Sequence, residues 1–102
     1  MPYKQKMLPP VHPGEILMED LMKPLGISIN RLARDLRVPV TRISEIVNGR
    51  RSITAQTALR LARYFGNTPQ FWINLQAAYD LEVATRSSGA QIERDVHPRH
   101  AA

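Results

Sequence analysis

The sequence predicts an all-α fold, one domain of five helices of which the last is long. Three observations carry this expectation. Between Ile16 and Ala84 apolar residues recur at intervals of three and four, the spacing of a helix face and not the alternation of a half-buried strand. Helix-opening residues stand at Pro13, Ser28, Pro39, Thr54 and Thr68–Pro69, and helix-closing glycines at Gly26, Gly49 and Gly66, where a polar cap, a first-turn proline and a left-handed terminus are each favoured. With 102 residues, 43% hydrophobic and 23% charged, the chain has the size and composition of a single globular domain.

Each element follows in order. Residues 1–10 hold three of the eight prolines and no helical period, which predicts an extended, mobile arm. Helix one opens at Pro13, with Glu15 suited to the positive helix end, carries Ile16, Leu17, Leu21 and Met22 on one face, and is expected to stop at Pro24 and Gly26. Helix two runs from the Ser28 cap to Leu36 with Ile29, Leu32, Ala33 and Leu36 inward. The tripeptide Arg37-Val38-Pro39 breaks it, because the residue before proline is pushed out of helical geometry. Helix three is expected from Val40 to about Asn48. Only Ile43, Ile46 and Val47 in it suit a core, and Gly49 supplies its left-handed cap. Helix four starts after Thr54 and buries Ala58, Leu59, Leu61, Ala62 and Phe65 before Gly66. Helix five starts at Thr68–Pro69 and is expected to reach about Thr85. The polar segment "RSSGAQIERDVHPRHAA" lacks a sustained apolar period, so residues 87–102 are predicted to be a flexible tail and the domain proper to span residues 11–86.

The formal net charge is +5, and its placement is more informative than its size. From Ser28 to Arg51 six arginines face two acids, Asp35 and Glu45, a local charge of +4; the remaining 78 residues hold eight basic and seven acidic side chains. A positive field confined to 24 residues is the footprint expected where phosphates dock; a merely solvated basic face is the competing reading. Cysteine is absent, which excludes disulfides and cysteine metal sites and makes a cytoplasmic location the expectation. Lys4 and Lys6 are followed by no apolar run, so no secretory signal is expected. No stretch approaches the ~18 apolar residues of a membrane-spanning helix.

A short helix, a three-residue turn and a second helix with a polar outer face form a helix-turn-helix, and such a unit suits the major groove of DNA. That groove is ~12 Å wide and admits one α-helix whose exposed side chains reach base edges. Small and branched residues at the crossing, here Ala33, Val38, Ile43 and Ile46, let the first helix brace the second. The segment "ISINRLARDLRVPVTRISEIVNGRRSITAQTALRLARYFG" resembles the helix-turn-helix of the phage Cro and repressor superfamily, the XRE family. Together with "VHPGEIL" upstream and "GNTPQFWINLQAAYDLEVA" downstream, it is similar to the HigA group of addiction-module antitoxins, also called VapI-like, over about Val11 to Ala84.

The resemblance implies a sequence-specific transcriptional repressor with a compact Cro/repressor-like domain. It places base readout on Val40, Thr41, Arg42, Ser44 and Glu45. Among these, Arg42 suits guanine O6 and N7, Thr41 a base or a thymine methyl, and Glu45 the cytosine amino group; an Arg42–Glu45 pair at i and i+3 is the bland alternative. Val40 and Pro39 stand where polar residues are common in the family. Phosphates are expected at the helix-two amides of Ser28, Ile29 and Asn30 and at Asn48, Arg50 and Arg51. Helix five is apolar around most of its girth, so a second copy is expected to cover Phe71, Trp72, Leu75, Tyr79 and Val83, giving a homodimer able to meet an inverted-repeat operator. The resemblance also implies dimers, and a partner toxin of the HigB type that cleaves messenger RNA. A solitary regulator without a toxin, or an interaction module without DNA binding, remains open at this point.

Enzyme chemistry finds little support. His12, His97 and His100 share no helix face with a carboxylate at ligand spacing, so no metal site is expected. Glu15, Glu19 and Asp20 read as a solvated acidic face, the serines have no histidine placed to activate them, and there is no glycine-rich phosphate loop. No catalytic residue and no cofactor are therefore expected.

Overall fold

The computed structural model describes residues 8–99, and among them every regular element is helical. Helix α1 is continuous but built of three stretches: α-helical Pro13–Ile16, π-helical Leu17–Met22 and α-helical Lys23–Leu25. The remaining four are α2 (Ile29–Leu36), α3 (Val40–Val47), α4 (Ala55–Phe65) and α5 (Pro69–Asp95). The expected five-helix, all-α architecture is thus observed.

Helix starts are set by side chains. Ser28 Oγ accepts the Arg31 amide at 3.0 Å, Thr54 Oγ1 the Thr57 amide at 3.5 Å and Thr68 Oγ the Phe71 amide at 3.1 Å, each occupying one donor that the helix itself leaves free. Helix ends are set by left-handed residues. After α3, Gly49 takes φ 74°; its amide bonds Ile46 O, and the Arg50 amide bonds Glu45 O at 2.8 Å, the paired closure of a Schellman motif. Gly26 and Gly66 close α1 and α4 with φ 67° and 78°.

Three elements depart from the sequence expectation. Pro24 does not stop α1, because the preceding turn widens: the Lys23 amide reaches Met18 O, five residues back. Widening relieves the clash that a proline ring makes with the carbonyl four residues earlier, and the helix ends only at Gly26. Leu59, expected inward, is 59% exposed, since it lies on the side of α4 away from Ala58, Leu61 and Ala62. Helix α5 runs ten residues past Thr85, to Asp95. Once the apolar period ends, Glu82–Arg86 at i and i+4 (2.7 Å) and straight-chain or small residues still sustain a helix. The predicted tail is therefore helical over residues 87–95. The N-terminal arm expectation falls largely on residues 1–7, and the last of the tail on 100–102, which lie outside the described residues.

The core lies where α1, α2, α3, α4 and the first half of α5 meet. Leu17, Met22, Leu32, Ile43, Ile46, Ile53, Leu61 and Trp72 are fully or almost fully buried in it. Trp72 is correspondingly not available to a second copy: it is 0% exposed, with Nε1 donating to Asn67 Oδ1 at 3.0 Å. Packing of α5 on α4 consumes that face, which corrects the expectation that Trp72 lines a dimer interface. The second half of α5 projects beyond the bundle and gives the chain its long dimension of 55 Å against 29 and 22 Å.

Candidate nucleic-acid interface

Helix α3 buries Ile43 and Ile46 completely against α2 and α1. A turn of about 100° per residue then puts Thr41, Ser44 and Glu45 on the opposite side, with Val40 and Arg42 on its two flanks. Val40 and Thr41 are exposed, while Arg42, Ser44 and Glu45 are half-buried. The five residues predicted to read bases therefore form the outward face of one helix and its edges, not a uniform stripe.

The loop after α3 adds the expected basic groups in an unexpected arrangement. Arg51 Nε donates to Glu45 Oε1 at 2.8 Å, so Glu45 is paired across the loop and not with Arg42. This ion pair joins a residue assigned to bases and one assigned to phosphate. Asn48 Nδ2 bonds Ser44 O at 2.8 Å and closes the helix, leaving its Oδ1 and second amide hydrogen outward. Arg50 is exposed. Ser28, Ile29 and Asn30 form a separate group at the opposite end of the motif; with the Arg31 amide held by Ser28, those of Ile29 and Asn30 have no acceptor within their helix. Of the six arginines from Ser28 to Arg51, only Arg31, on Asp35 at 3.4 Å, and Arg51 have an acid partner among the described residues. Arg34, Arg37, Arg42 and Arg50 leave the field of the motif strongly positive.

What holds α3 in place was only partly legible. Gly14 lies so close to the C-terminal turn of α3 that a β-carbon there would stand 1.7 Å from the Ile46 carbonyl oxygen. Its neighbour His12 accepts the Gly14 amide on Nδ1 at 2.9 Å and stacks edge-on against Tyr79 of α5, ring centres 4.8 Å apart. Burial holds the His12 pKa below its usual value, against the opposing pull of Asp80 and Glu15. His12 therefore ties the start of α1 to α5, next to the Gly49 turn.

Gln76, also on α5 and buried, accepts the Ile53 amide on Oε1 at 2.8 Å and donates from Nε2 to Asp80 at 2.9 Å. It thereby fixes the end of the loop that carries Arg50 and Arg51. A glutamine inside an apolar helix was the available signal for this role. At the other end of α2, Tyr64 OH donates to Asp35 Oδ2 at 2.7 Å, which holds the Asp35 carboxyl below its usual range, with Arg31 adding to the effect, and raises the Tyr64 phenol.

Residues 18–72 match the helix-turn-helix family. The chain is 52% identical to virulence-associated protein I of Dichelobacter nodosus over 84 residues, 82% of this chain and 78% of that protein. It superposes with TM-score 0.84 on an addiction-module antidote protein of the HigA family from Coxiella burnetii, at 54% identity, covering 89% of this chain and 99% of that one. This chain belongs to the HigA family of helix-turn-helix proteins. A second HigA, the Pseudomonas aeruginosa antitoxin solved with the higBA promoter, matches with TM-score 0.87 at 43% identity, again over 89% and 99% of the two chains. The HigA likeness spans α1 to most of α5, so it includes the bracing residues Gly14, His12 and Gln76 as well as the motif. Among the described residues no group of three potential metal ligands occurs, and no helix is long and apolar enough to cross a membrane.

Proposed function

We propose that this protein is a sequence-specific DNA-binding repressor of its own promoter and the antitoxin of a toxin–antitoxin pair. The carrying observation is the outward face of α3, Thr41, Ser44 and Glu45 flanked by Val40 and Arg42, on a helix whose other side is locked into the core. Fixed on that side, α3 can present polar atoms to base edges without further ordering of its backbone. Arg50, Arg51, Asn48 and the free amides at Ile29 and Asn30 serve as phosphate contacts, which set register without reading sequence. That the similar Pseudomonas aeruginosa antitoxin HigA was solved with the higBA promoter supports DNA binding by this chain.

The reading includes a homodimer. Phe71 and Val83 are 40% and 39% exposed and Leu75 and Tyr79 half-covered, so these four, without Trp72, are the assigned interface on α5. A twofold pair would bring two α3 helices to successive major grooves of an inverted repeat. The toxin is a protein partner, and a cytoplasmic location follows from work on a promoter. No catalytic residue is assigned.

An electrophoretic shift with the DNA upstream of the protein's own reading frame tests this. Expected is specific, salt-sensitive binding to an inverted repeat, with Arg51→Ala weakening all sequences alike and lowering the salt slope by about one. Equal affinity for promoter and scrambled DNA would refute the repressor.

A further inference from the structure

Arginines assigned to no DNA contact converge at the far end of α2 from Ser28. A cleft of about 210 Å³ lies between the C-terminus of α2 and the second half of α4, lined by Asp35, Leu36, Arg37, Arg60, Arg63 and Tyr64. Three features set it apart from a solvated basic face. First, Arg37 adopts the left-handed conformation, φ 62°, the one non-glycine residue among the described residues to do so. An L-residue there carries a steric cost that glycine or asparagine would reduce, and such a cost is tolerated most often where the side chain has a task. Second, Arg60 donates from one terminal nitrogen to Leu36 O at 2.8 Å while its buried Nε has no acceptor, an unmade bond in a place shielded from water. Third, the single acid in the cleft, Asp35, is engaged by Tyr64 OH at 2.7 Å and by Arg31 at 3.4 Å, and Arg37, Arg60 and Arg63 have no acid partner among the described residues.

From these we infer that the cleft is a docking site for a carboxylate of an acidic segment of a partner protein. Charge complementarity decides the head group: three planar guanidinium groups, those of Arg37 and Arg63 exposed and without an acid partner among the described residues, match a carboxylate in two-bond geometry. The walls decide how it is carried. Leu36, the Tyr64 ring and the arginine stems are apolar, so they favour an acid on a short hydrocarbon stem, glutamate or aspartate flanked by apolar residues, over a bare inorganic anion. Asp35 narrows the choice further, because its negative charge disfavours a doubly charged phosphate more than a singly charged carboxylate. Position decides the use. The site lies a full α2 length, about 12 Å, from the Ser28 amides, so an acidic segment can occupy it while those amides face phosphate.

The test observes the Arg60 Nε–H resonance of the full-length protein by nuclear magnetic resonance while an end-blocked tetrapeptide of alternating leucine and glutamate is added at constant ionic strength. The expected result is a saturable shift of that resonance, absent with the glutamine version of the peptide. In the Arg63→Gln variant, which leaves the Arg60–Leu36 bond intact, the affinity should fall at least tenfold. Promoter affinity of that variant should stay within twofold of wild type. No shift at millimolar peptide, an equal shift with the glutamine peptide, or equal competition by inorganic phosphate would overturn the assignment. A loss of promoter affinity matching the loss of peptide binding would place these arginines in the DNA interface and overturn it too.

Discussion

Substituting Gly14 by alanine tests how closely the bracing of α3 is tied to the first helix. The added carbon would stand 1.7 Å from the Ile46 carbonyl oxygen, 2.6 Å from the carbonyl carbon and 2.9 Å from Val47 Cα. All three are backbone atoms, so no side-chain rotation relieves the overlap. To restore ordinary contact α1 must retreat from α3 by roughly 1.5 Å. Retreat loosens Leu17 and Met22, both fully buried. Overpacking of this kind costs about 1–3 kcal/mol, and the absence of a yielding side chain argues for the upper part of that range. At about 4–8 °C per kcal/mol for a domain of this size, the melting temperature should fall by roughly 10–20 °C. Thermal unfolding followed by circular dichroism measures it, and promoter affinity at 10 °C, where the variant is still folded, should also drop. Gly89→Ala is the control. A β-carbon there would meet Thr85 Cγ2 at an ordinary 3.4 Å, so α5 should gain helicity, with about 0.5–1 kcal/mol of local stabilisation. A Gly14→Ala protein melting within about 2 °C of wild type and binding promoter equally well would refute the close-approach argument.

Two further changes probe the links between α5 and the motif. Gln76→Leu leaves the Ile53 amide buried without its acceptor and should cost about 1–3 kcal/mol in urea unfolding, with a larger loss of non-specific than of sequence-discriminating DNA affinity because the Arg50–Arg51 loop is freed. For His12 the sign follows from its lowered pKa. The unfolded chain takes up a proton first as pH falls below about 6.5, so stability is level above that pH and declines below it until the folded protein also protonates. Urea midpoints at pH 7.5 and 5.5 measure this decline, and His12→Asn, which replaces the Nδ1 acceptor by a non-titrating capping oxygen, should reduce it; an unchanged difference would remove His12 as its source.

Much of this architecture was legible because helix boundaries here are marked by local chemistry. Ser28, Thr54 and Thr68 cap as their side chains dictate, and Gly26, Gly49 and Gly66 close helices as only an unhindered left-handed residue readily does. The clustered charge and the polar face of α3 were equally visible, since both are properties of residues near in sequence. What escaped depends on groups distant in sequence. Helical spacing offers Arg42 as the only near partner for Glu45, but the Gly49 turn folds Arg51 back onto it. Trp72 looked surplus in a helix apolar on several sides, and only the packing of α5 on α4 assigns it to the core. Gly14 carries no local signal of its role, although the position of Ile46 makes any larger residue clash. Pro24 read as a stop because a π-helical turn has no compositional mark. Arg37 in a left-handed turn was hidden because most such positions hold glycine or asparagine.

The central claim, that α3 reads bases while the flanking arginines only anchor, is tested most directly by equilibrium binding of Thr41→Ala and Arg42→Ala to promoter and scrambled duplexes over a range of salt. The expected result is a loss of about 1–3 kcal/mol of discrimination for each base contact removed, with scrambled-sequence affinity nearly unchanged for Thr41→Ala. If both variants bind promoter and scrambled DNA in the same ratio as wild type, the face of α3 does not read the sequence.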